Sequence, residues 1–462
     1  MAAGTAVASS RARGRGLLHP EPLKRPAFDV KAATVLRATR TAYREHLAHE
    51  RMDPEALQTL QDQRAIAQAS FAMQHSRFYR DLYRSAGFSI GDLRDPAAFC
   101  KLPTIGKEDV RERFADFRTD EAISANTALN VTGGSTGEPL RILRDVRVPA
   151  RALEWQLFHW WGLDPSVDIA IVQRHTKSQK DRLRHAASWW PSVRFQLDAF
   201  RMNEETIGQF LAQWQSVEPS LLIGYAGAIS EVAAELLARD IRVHQPRAVA
   251  TTAAPLTDPQ RATISEAFDA PVYDHYRSSE VPWIAGECAA HEGLHVFADV
   301  RKLELLDETG VPVAAGTVGD TVVTDLNNRV FPLIRYRLGD RTAAIDAPCA
   351  CGVTLPRIQP ISGRQTDALR LPGGQVVAGE GLAQIFSRHP GAVRQFQIHQ
   401  ISDRSVVLRC VSAHRPDSAR DIQVVASNLR ELLDHQVKVA VVLVDRIPHA
   451  GGKVRCVTSD AR

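Results

Sequence analysis

Five short segments hold the residue types that could handle a nucleotide and an acid. In Thr132-Gly133-Gly134-Ser135-Thr136-Gly137-Glu138-Pro139-Leu140, three glycines surround Ser135 and Thr136, just after the apolar run Ala128 to Val131. Glycine lets a backbone approach an anion closely, and the hydroxyls donate to its oxygens. This is a phosphate-handling pattern, although an ordinary surface turn is the alternative. It is not a Walker loop, because no Lys-Ser/Thr pair follows the last glycine. Tyr276-Arg277-Ser278-Ser279-Glu280 offers an aromatic face for a base, a hydroxyl for a phosphate and a carboxylate for a hard cation such as Mg²⁺. Arg335-Tyr336-Arg337-Leu338-Gly339-Asp340 ends in a carboxylate suited to accept from a ribose diol. Gly363-Arg364-Gln365-Thr366-Asp367 marks a change of pattern, and Gly451-Gly452-Lys453-Val454-Arg455 is a glycine-flanked loop with one lysine.

These residues need a scaffold, and the periodicities suggest one. From Phe28 to about Gly87 the pattern is helical, with Leu57, Leu60, Ile66, Phe71 and Met73 among polar residues. The connector Leu102 to Glu108 leads to the glycine loop. Ile169 to Val172, Leu221 to Ile223 and Ala248 to Ala250 read as strands, alternating with helices such as the one carrying Ile229, Val232, Ala233, Leu236 and Leu237 on one face. Such alternation implies a parallel sheet with ligands at the carboxyl ends of its strands, and the glycine loop is expected at one of those ends. From Val296 the pattern turns to β, at Lys302 to Leu306, Thr321 to Thr324 and Val330 to Tyr336. Beyond the fourth segment, strands at Gln395 to Ile401, Val406 to Val411 and Val437 to Leu443 flank a helix with Ile422, Val425, Leu429 and Leu432 in line. The fold class is α/β: a large N-terminal multi-subdomain region (27–362) with a β-rich section, a hinge (363–368) and a small mobile α+β domain (369–462).

Composition excludes several classes. The net charge of +4, from 57 basic and 53 acidic residues in 462, is too small to argue for nucleic acid. Apolar residues at 44% and charged residues at 24% fit a soluble globular protein, and no apolar run reaches the length of a membrane span. Residues 1–26 are rich in Ala, Ser, Gly and Arg and lack the apolar core of a secretory signal, so a disordered leader is expected, with a transit peptide as the alternative. Six cysteines in so long a chain are not a disulfide framework, and a reducing cytoplasm fits them. Cys288, His295, Cys349 and Cys351 could form a closed tetrahedral zinc set, or could be unliganded side chains in surface loops. His291 is a less favoured substitute ligand.

In this order the segments resemble the adenylate-forming superfamily, and within it the phenylacetate-CoA ligase family, especially its capsule-biosynthesis-type branch. The connector Leu102 to Lys107, Ile223-Gly224-Tyr225-Ala226 and Pro332 to Arg337 carry the same resemblance, which runs from about Phe28 to the end. It implies ATP-dependent formation of an acyl-adenylate from a small carboxylic acid, with pyrophosphate release and acyl transfer to CoA. Delivery to a carrier protein, amine or hydroxyl is the alternative, and a nucleotide-binding protein that no longer turns over is a third reading. It further implies that Ser135, Thr136 and Gly137 wrap the phosphates and that Tyr276 lies against adenine. Ser279 would contact the α-phosphate, Glu280 would bind Mg²⁺, and Asp340 with Arg364 would hold the ribose. Lys453 would bridge carboxylate and α-phosphate, with Asp367 at the hinge. Relatives with similar Cys/His spacing carry Zn²⁺, which favours zinc here.

Three positions depart from the family pattern: Arg277, usually glycine; Ala254, often glutamate; and Leu140, often lysine in the wider superfamily. The loop Leu371 to Gln375 resembles the capsule-type branch, which weakens the expectation of CoA as acceptor. Trp155, Trp160, Trp161, Trp189 and Trp190 read as core packing, with an aromatic acyl pocket as the minority reading. Tyr225, Gly227 and His175 are acyl-pocket candidates.

Overall fold

The computed structural model describes residues 21–131, 140–173, 186–199, 202, 204–362, 369–372, 376–377, 389, 392–413, 416–447 and 457–461. The glycine loop's Ser135, Thr136 and Gly137 lie outside them, as do His175, Arg364, Asp367, Lys453 and positions 373–375 of the capsule-type loop.

The helical opening is realised as α1 (Glu21–Ala33), α2 (Arg37–His49), α3 (Pro54–His75) and α4 (Arg77–Ser85). Asp53 caps α3 by accepting from the Glu55 and Ala56 amides at 3.1 and 3.2 Å, and Pro54 takes the first turn, where its missing N–H costs nothing. This layer reaches across to the β-rich section through buried polar side chains. Gln61 donates to the Ala298 and Arg301 carbonyls at 2.9 and 3.1 Å, and Gln68 to the Asn328 carbonyl at 2.8 Å. The Tyr79 hydroxyl donates to the Pro332 carbonyl and accepts from the Ile334 amide, both at 3.0 Å. A fully buried phenol thus fixes the chain just before the Asp340 segment.

Next come α5 (Lys107–Glu112), α6 (Phe114–Phe117), and the strands β1 (Thr127–Val131) and β2 (Arg141–Asp145). β1 and β2 form a separate antiparallel pair with Val131 opposite Arg141, so the glycine segment connects a hairpin. The expected position, at the end of a parallel strand, is corrected: the apolar run pairs with Arg141–Asp145 and not with the parallel sheet, and Leu129 is 54% exposed.

After α7 (Arg151–Trp160) the chain builds an eleven-stranded sheet. Its parallel part comprises β3 (Ile169–Gln173), β4 (Arg194–Asp198), β5 (Leu221–Tyr225), β6 (Ala248–Thr252) and β7 (Val272–Tyr276), in the order β7-β6-β5-β3-β4. All five β6 residues are buried, as a strand covered on both faces must be. Gly224 is required by close strand approach: a Cβ there would lie 2.1 Å from the Val172 carbonyl oxygen. The sheet continues antiparallel through β8 (Ala285–Glu287), β9 (Leu294–Val296), β10 (Arg301–Leu306), β11 (Val318–Asp325), β12 (Tyr336–Ile345) and β13 (Arg357–Ile358), in the order β10-β11-β12-β13-β9-β8-β7.

The expected strand Val330 to Tyr336 is also corrected. β12 begins only at Tyr336, because Pro332 has no N–H to donate and Arg335 adopts φ 50°. C-terminally, strands Val393–Gln400, Val406–Ser412, Val439–Leu443 and Val457–Ser459 form a four-stranded sheet, with helix Ser418–Leu432 supplying Ile422, Val425 and Leu429 to its core. Leu443 is 62% exposed, so the alternation expected of that strand stops one residue short.

Candidate functional site

The second and third segments meet at one end of the sheet. β7 delivers Tyr276 and β12 delivers Asp340, and the Tyr276 hydroxyl donates to the Asp340 carboxylate at 2.8 Å with both residues buried. A carboxylate can accept several hydrogen bonds, so a ribose diol can share this one with the phenol. After Tyr276 the chain turns sharply. The Ser278 hydroxyl accepts from the Val281 amide at 2.8 Å, presenting Ser279 and Glu280 at the tip. The Ser279 carbonyl then accepts from the Asn130 side-chain amide at 2.7 Å and from the Arg144 guanidinium at 3.2 Å. Asn130 lies two residues before the glycine loop and Arg144 on the returning strand, so the hairpin that carries this loop is tied to the Ser279–Glu280 turn. Neither residue was singled out in the sequence; a polar side chain inside an otherwise apolar run was the available signal.

Glu280 lies close enough to the Tyr336 phenol that its negative charge, after burial, pushes the phenol's pKa well up. Burial and then the Arg277 charge lower the Arg144 pKa, with Asp325 and Glu280 acting in the opposite direction. The Asp340 strand is held from outside. Ile105 and Tyr336 form a parallel bridge, with the Ile105 amide donating to the Arg335 carbonyl at 3.0 Å and the Arg337 amide to the Ile105 carbonyl at 2.9 Å. Arg335 itself is buried, forks onto Glu304 at 2.9 and 3.1 Å, and donates to the Leu102 carbonyl. The connector and the Pro332 to Arg337 segment, far apart in sequence, are thus neighbours beside Asp340.

The four Cys/His residues converge as well. The Cys288 and Cys349 sulfurs are 3.6 Å apart, Cys351 Sγ is 3.3 Å from His295 Nε2, and all four donor atoms lie within 4.8 Å of one another. A Zn²⁺ tetrahedron with bonds of about 2.3 Å to sulfur and about 2.0–2.1 Å to nitrogen has edges of roughly 3.8 and 3.5 Å. The Cys288–Cys349 and Cys351–His295 spacings fit that figure, and 3.6 Å is far too long for a disulfide. His295 Nδ1 lies 3.2 Å from the Leu355 carbonyl, which directs Nε2 toward the thiols. His291 is not part of this group: it pairs with Glu287 at 3.2 Å and stacks on Tyr273.

Trp155 and Trp160 of α7, and Trp161 just after it, are core. Trp155 packs on Phe28 and Tyr43, Trp160 stacks on Phe297 and donates to Glu50 at 2.8 Å, and Trp161 stacks on Tyr273 and donates to the Glu287 carbonyl at 2.8 Å. Trp189 lies under the guanidiniums of Arg151 and Arg194. Tyr225 ends β5 at the carboxyl edge of the sheet, and Gly227 is buried in the helix that follows.

No protein-family model matches the chain. Among solved structures, 2-hydroxyisobutyryl-CoA ligase in its postadenylation state with R3-HIB-AMP superposes at a TM-score of 0.71 with 19% identity, covering 86% of this chain and 89% of that one. The overall fold is therefore that of this CoA ligase structure. Phenylacetate-coenzyme A ligase of Thermus thermophilus is 25% identical over 365 residues, 76% of this chain and 79% of its own. Protein CapK of Staphylococcus aureus is 22% identical over 408 residues, 86% and 88% of the two chains. The chain is thus similar in sequence to phenylacetate-coenzyme A ligases and to CapK, and in fold to a CoA ligase.

Proposed function

We propose that this protein activates a small carboxylic acid with ATP, forming an acyl-adenylate and pyrophosphate, and passes the acyl group to CoA. The observation that carries the reading is the hydrogen bond from Tyr276 to Asp340, joining the base-side aromatic to the ribose-side carboxylate in one cleft. In-line attack on the α-phosphorus gathers negative groups, so catalysis is mainly charge neutralisation and positioning. Asp340, with Arg364, holds the ribose hydroxyls. Ser279 meets the α-phosphate, Glu280 binds Mg²⁺, and Ser135, Thr136 and Gly137 wrap the phosphates from the hairpin tied to Ser279. Lys453 enters with the small domain (369–462), which swings about the hinge (363–368) against the large domain (27–362). Cys288, His295, Cys349 and Cys351 hold a structural Zn²⁺ that staples two loops of the β-rich section. A cytoplasmic location suits the thiols, and no helix among the described residues is long and apolar enough to cross a membrane. The names of the relatives support CoA as acceptor; a carrier protein, amine or hydroxyl is the second reading, resting on the capsule-type likeness of Leu371 to Gln375.

Product analysis tests the proposal. With ATP, Mg²⁺, CoA and a panel of acids, mass spectrometry should find AMP, pyrophosphate and one acyl-CoA in equal amounts. ADP and phosphate as products, or no nucleotide turnover with any acid, would contradict it.

A further inference from the structure

Arg277 leaves the carboxyl end of β7 on the side opposite Tyr276. Residues 273, 275 and 277 share a face in an extended strand, and the ring contacts agree. Tyr273 stacks on Trp161, His275 stacks on Trp283, and the Arg277 guanidinium also lies over Trp283, 4.7 Å from its centroid. Tyr276 therefore faces Asp340, on the ribose side, while Arg277 lies over Trp283 with Glu154 of α7 and Tyr225 of β5 in electrostatic range. Arg277 exposes its side chain to solvent, and yet burial lowers its pKa.

The cation has no hydrogen-bond or ion-pair partner among the described residues. Glu154, the carboxylate in its electrostatic range, is taken by Arg194, at 3.3 and 3.5 Å to its two oxygens. Arg144 adds positive charge nearby, with Asp325 and Glu280 acting on it in the opposite direction. Carboxylate recognition is what a planar fork on an aromatic shelf does well.

We propose that Arg277 is a specificity-determining residue that binds a second carboxylate on the acyl portion of the substrate, so that the enzyme prefers a dicarboxylic acid to its neutral counterpart. The proposal rests on the adenylation reading above. Ser279, two residues on and at most about 7 Å along the chain, marks where the reacting carboxylate meets the α-phosphate. The two carboxylates are therefore those of a short chain or of opposite positions on one ring.

Pyrophosphate exchange on matched acids tests this: adipate against hexanoate, terephthalate against benzoate, and carboxyphenylacetate against phenylacetate. The expected result is a kcat/KM about 30-fold or more higher for the diacid of at least one pair, as for hydrogen bonds to a charged group. In Arg277→Gly that ratio should fall to near one through the KM of the acid, and Arg277→Lys should retain part of it. Exchange with monoacids that equals or exceeds exchange with every matched diacid overturns the inference and leaves adenylation standing. So does an Arg277→Gly effect confined to the KM for ATP. Absence of exchange with any acid overturns the adenylation reading, and this inference with it.

Discussion

Replacing Glu304 by alanine should be among the most damaging single changes in the large sheet. The side chains of Arg335 and Glu304 are 4% and 8% exposed, and their fork is made at 2.9 and 3.1 Å. Removing one member of such a pair leaves an uncompensated buried charge, at about 3–5 kcal/mol. Replacing both, as in Arg335→Met with Glu304→Met, removes the charge along with its partner. What then remains is the loss of the donor to the Leu102 carbonyl, about 1–2 kcal/mol. The double variant should thus be more stable than Glu304→Ala by about 2–3 kcal/mol. Scanning calorimetry would show the large-domain transition of Glu304→Ala falling by roughly 5–15 °C. Because Arg335 immediately precedes the strand that carries Asp340, the KM for ATP should rise in the same variant. A Glu304→Ala transition within about 1 °C of wild type would refute the reasoning, as would a double variant no more stable than Glu304→Ala.

Asp340→Ala should raise the KM for ATP about 10- to 100-fold by removing the ribose acceptor, and Tyr276→Phe should raise it less; an unchanged KM in both would remove these residues from the nucleotide site. Cys349→Ser with Cys351→Ser should abolish bound zinc, measured by elemental analysis as about one per wild-type chain, and lower the melting temperature; a wild type free of metal would end the zinc proposal. Lys453→Ala should abolish adenylation while sparing thioester formation from a supplied acyl-adenylate; equal loss of both would refute its separate role. Two adjacent buried groups should oppose one another in pH-dependent stability. Burial, with the Arg277 charge, holds His275 down to about 3, so its contribution is present above about 6.5 and is lost as pH falls toward 3. Burial, with the Glu287 charge, lifts Asp274 to about 7, so its contribution is present at acid pH and is lost as pH rises from about 4 to 7. Asp274→Asn should therefore make stability fall on acidification from about pH 6.5 to 4, and His275→Leu should make it rise; parallel profiles for both variants would contradict the assignment.

Periodicity made the scaffold legible where local pattern and tertiary fate agreed. The helical opening, the strands at Leu221, Ala248 and Arg301, and the C-terminal α+β unit all follow from apolar spacing. It failed where pairing partners decide. Ala128 to Val131 forms a strand, but nothing local says that it pairs with Arg141–Asp145 rather than joining the parallel sheet. Pro332 and the positive φ of Arg335 delay β12 to Tyr336, although Val330 to Tyr336 is apolar enough for a strand. At the site, residue type pointed to Tyr276 and Asp340, which the fold brings into a hydrogen bond of 2.8 Å. The residues that aim them did not show: Asn130, Arg144, Tyr79 and Glu304 act through contacts between 135 and 255 positions distant or with a partner defined only by the fold. Arg277 stood out as a departure, yet its shelf on Trp283 and the engagement of Glu154 by Arg194 appear only in three dimensions.

The central claim is that the cleft between Tyr276–Glu280 and Asp340 joins ATP to a carboxylate. Exchange of radiolabelled pyrophosphate into ATP, with Mg²⁺ and a panel of mono- and dicarboxylic acids but no CoA, tests it most directly. The account predicts acid-dependent exchange with one class of acid and its loss in Asp340→Ala. Folded, magnesium-supplied protein that binds ATP but shows no exchange with any acid would contradict it.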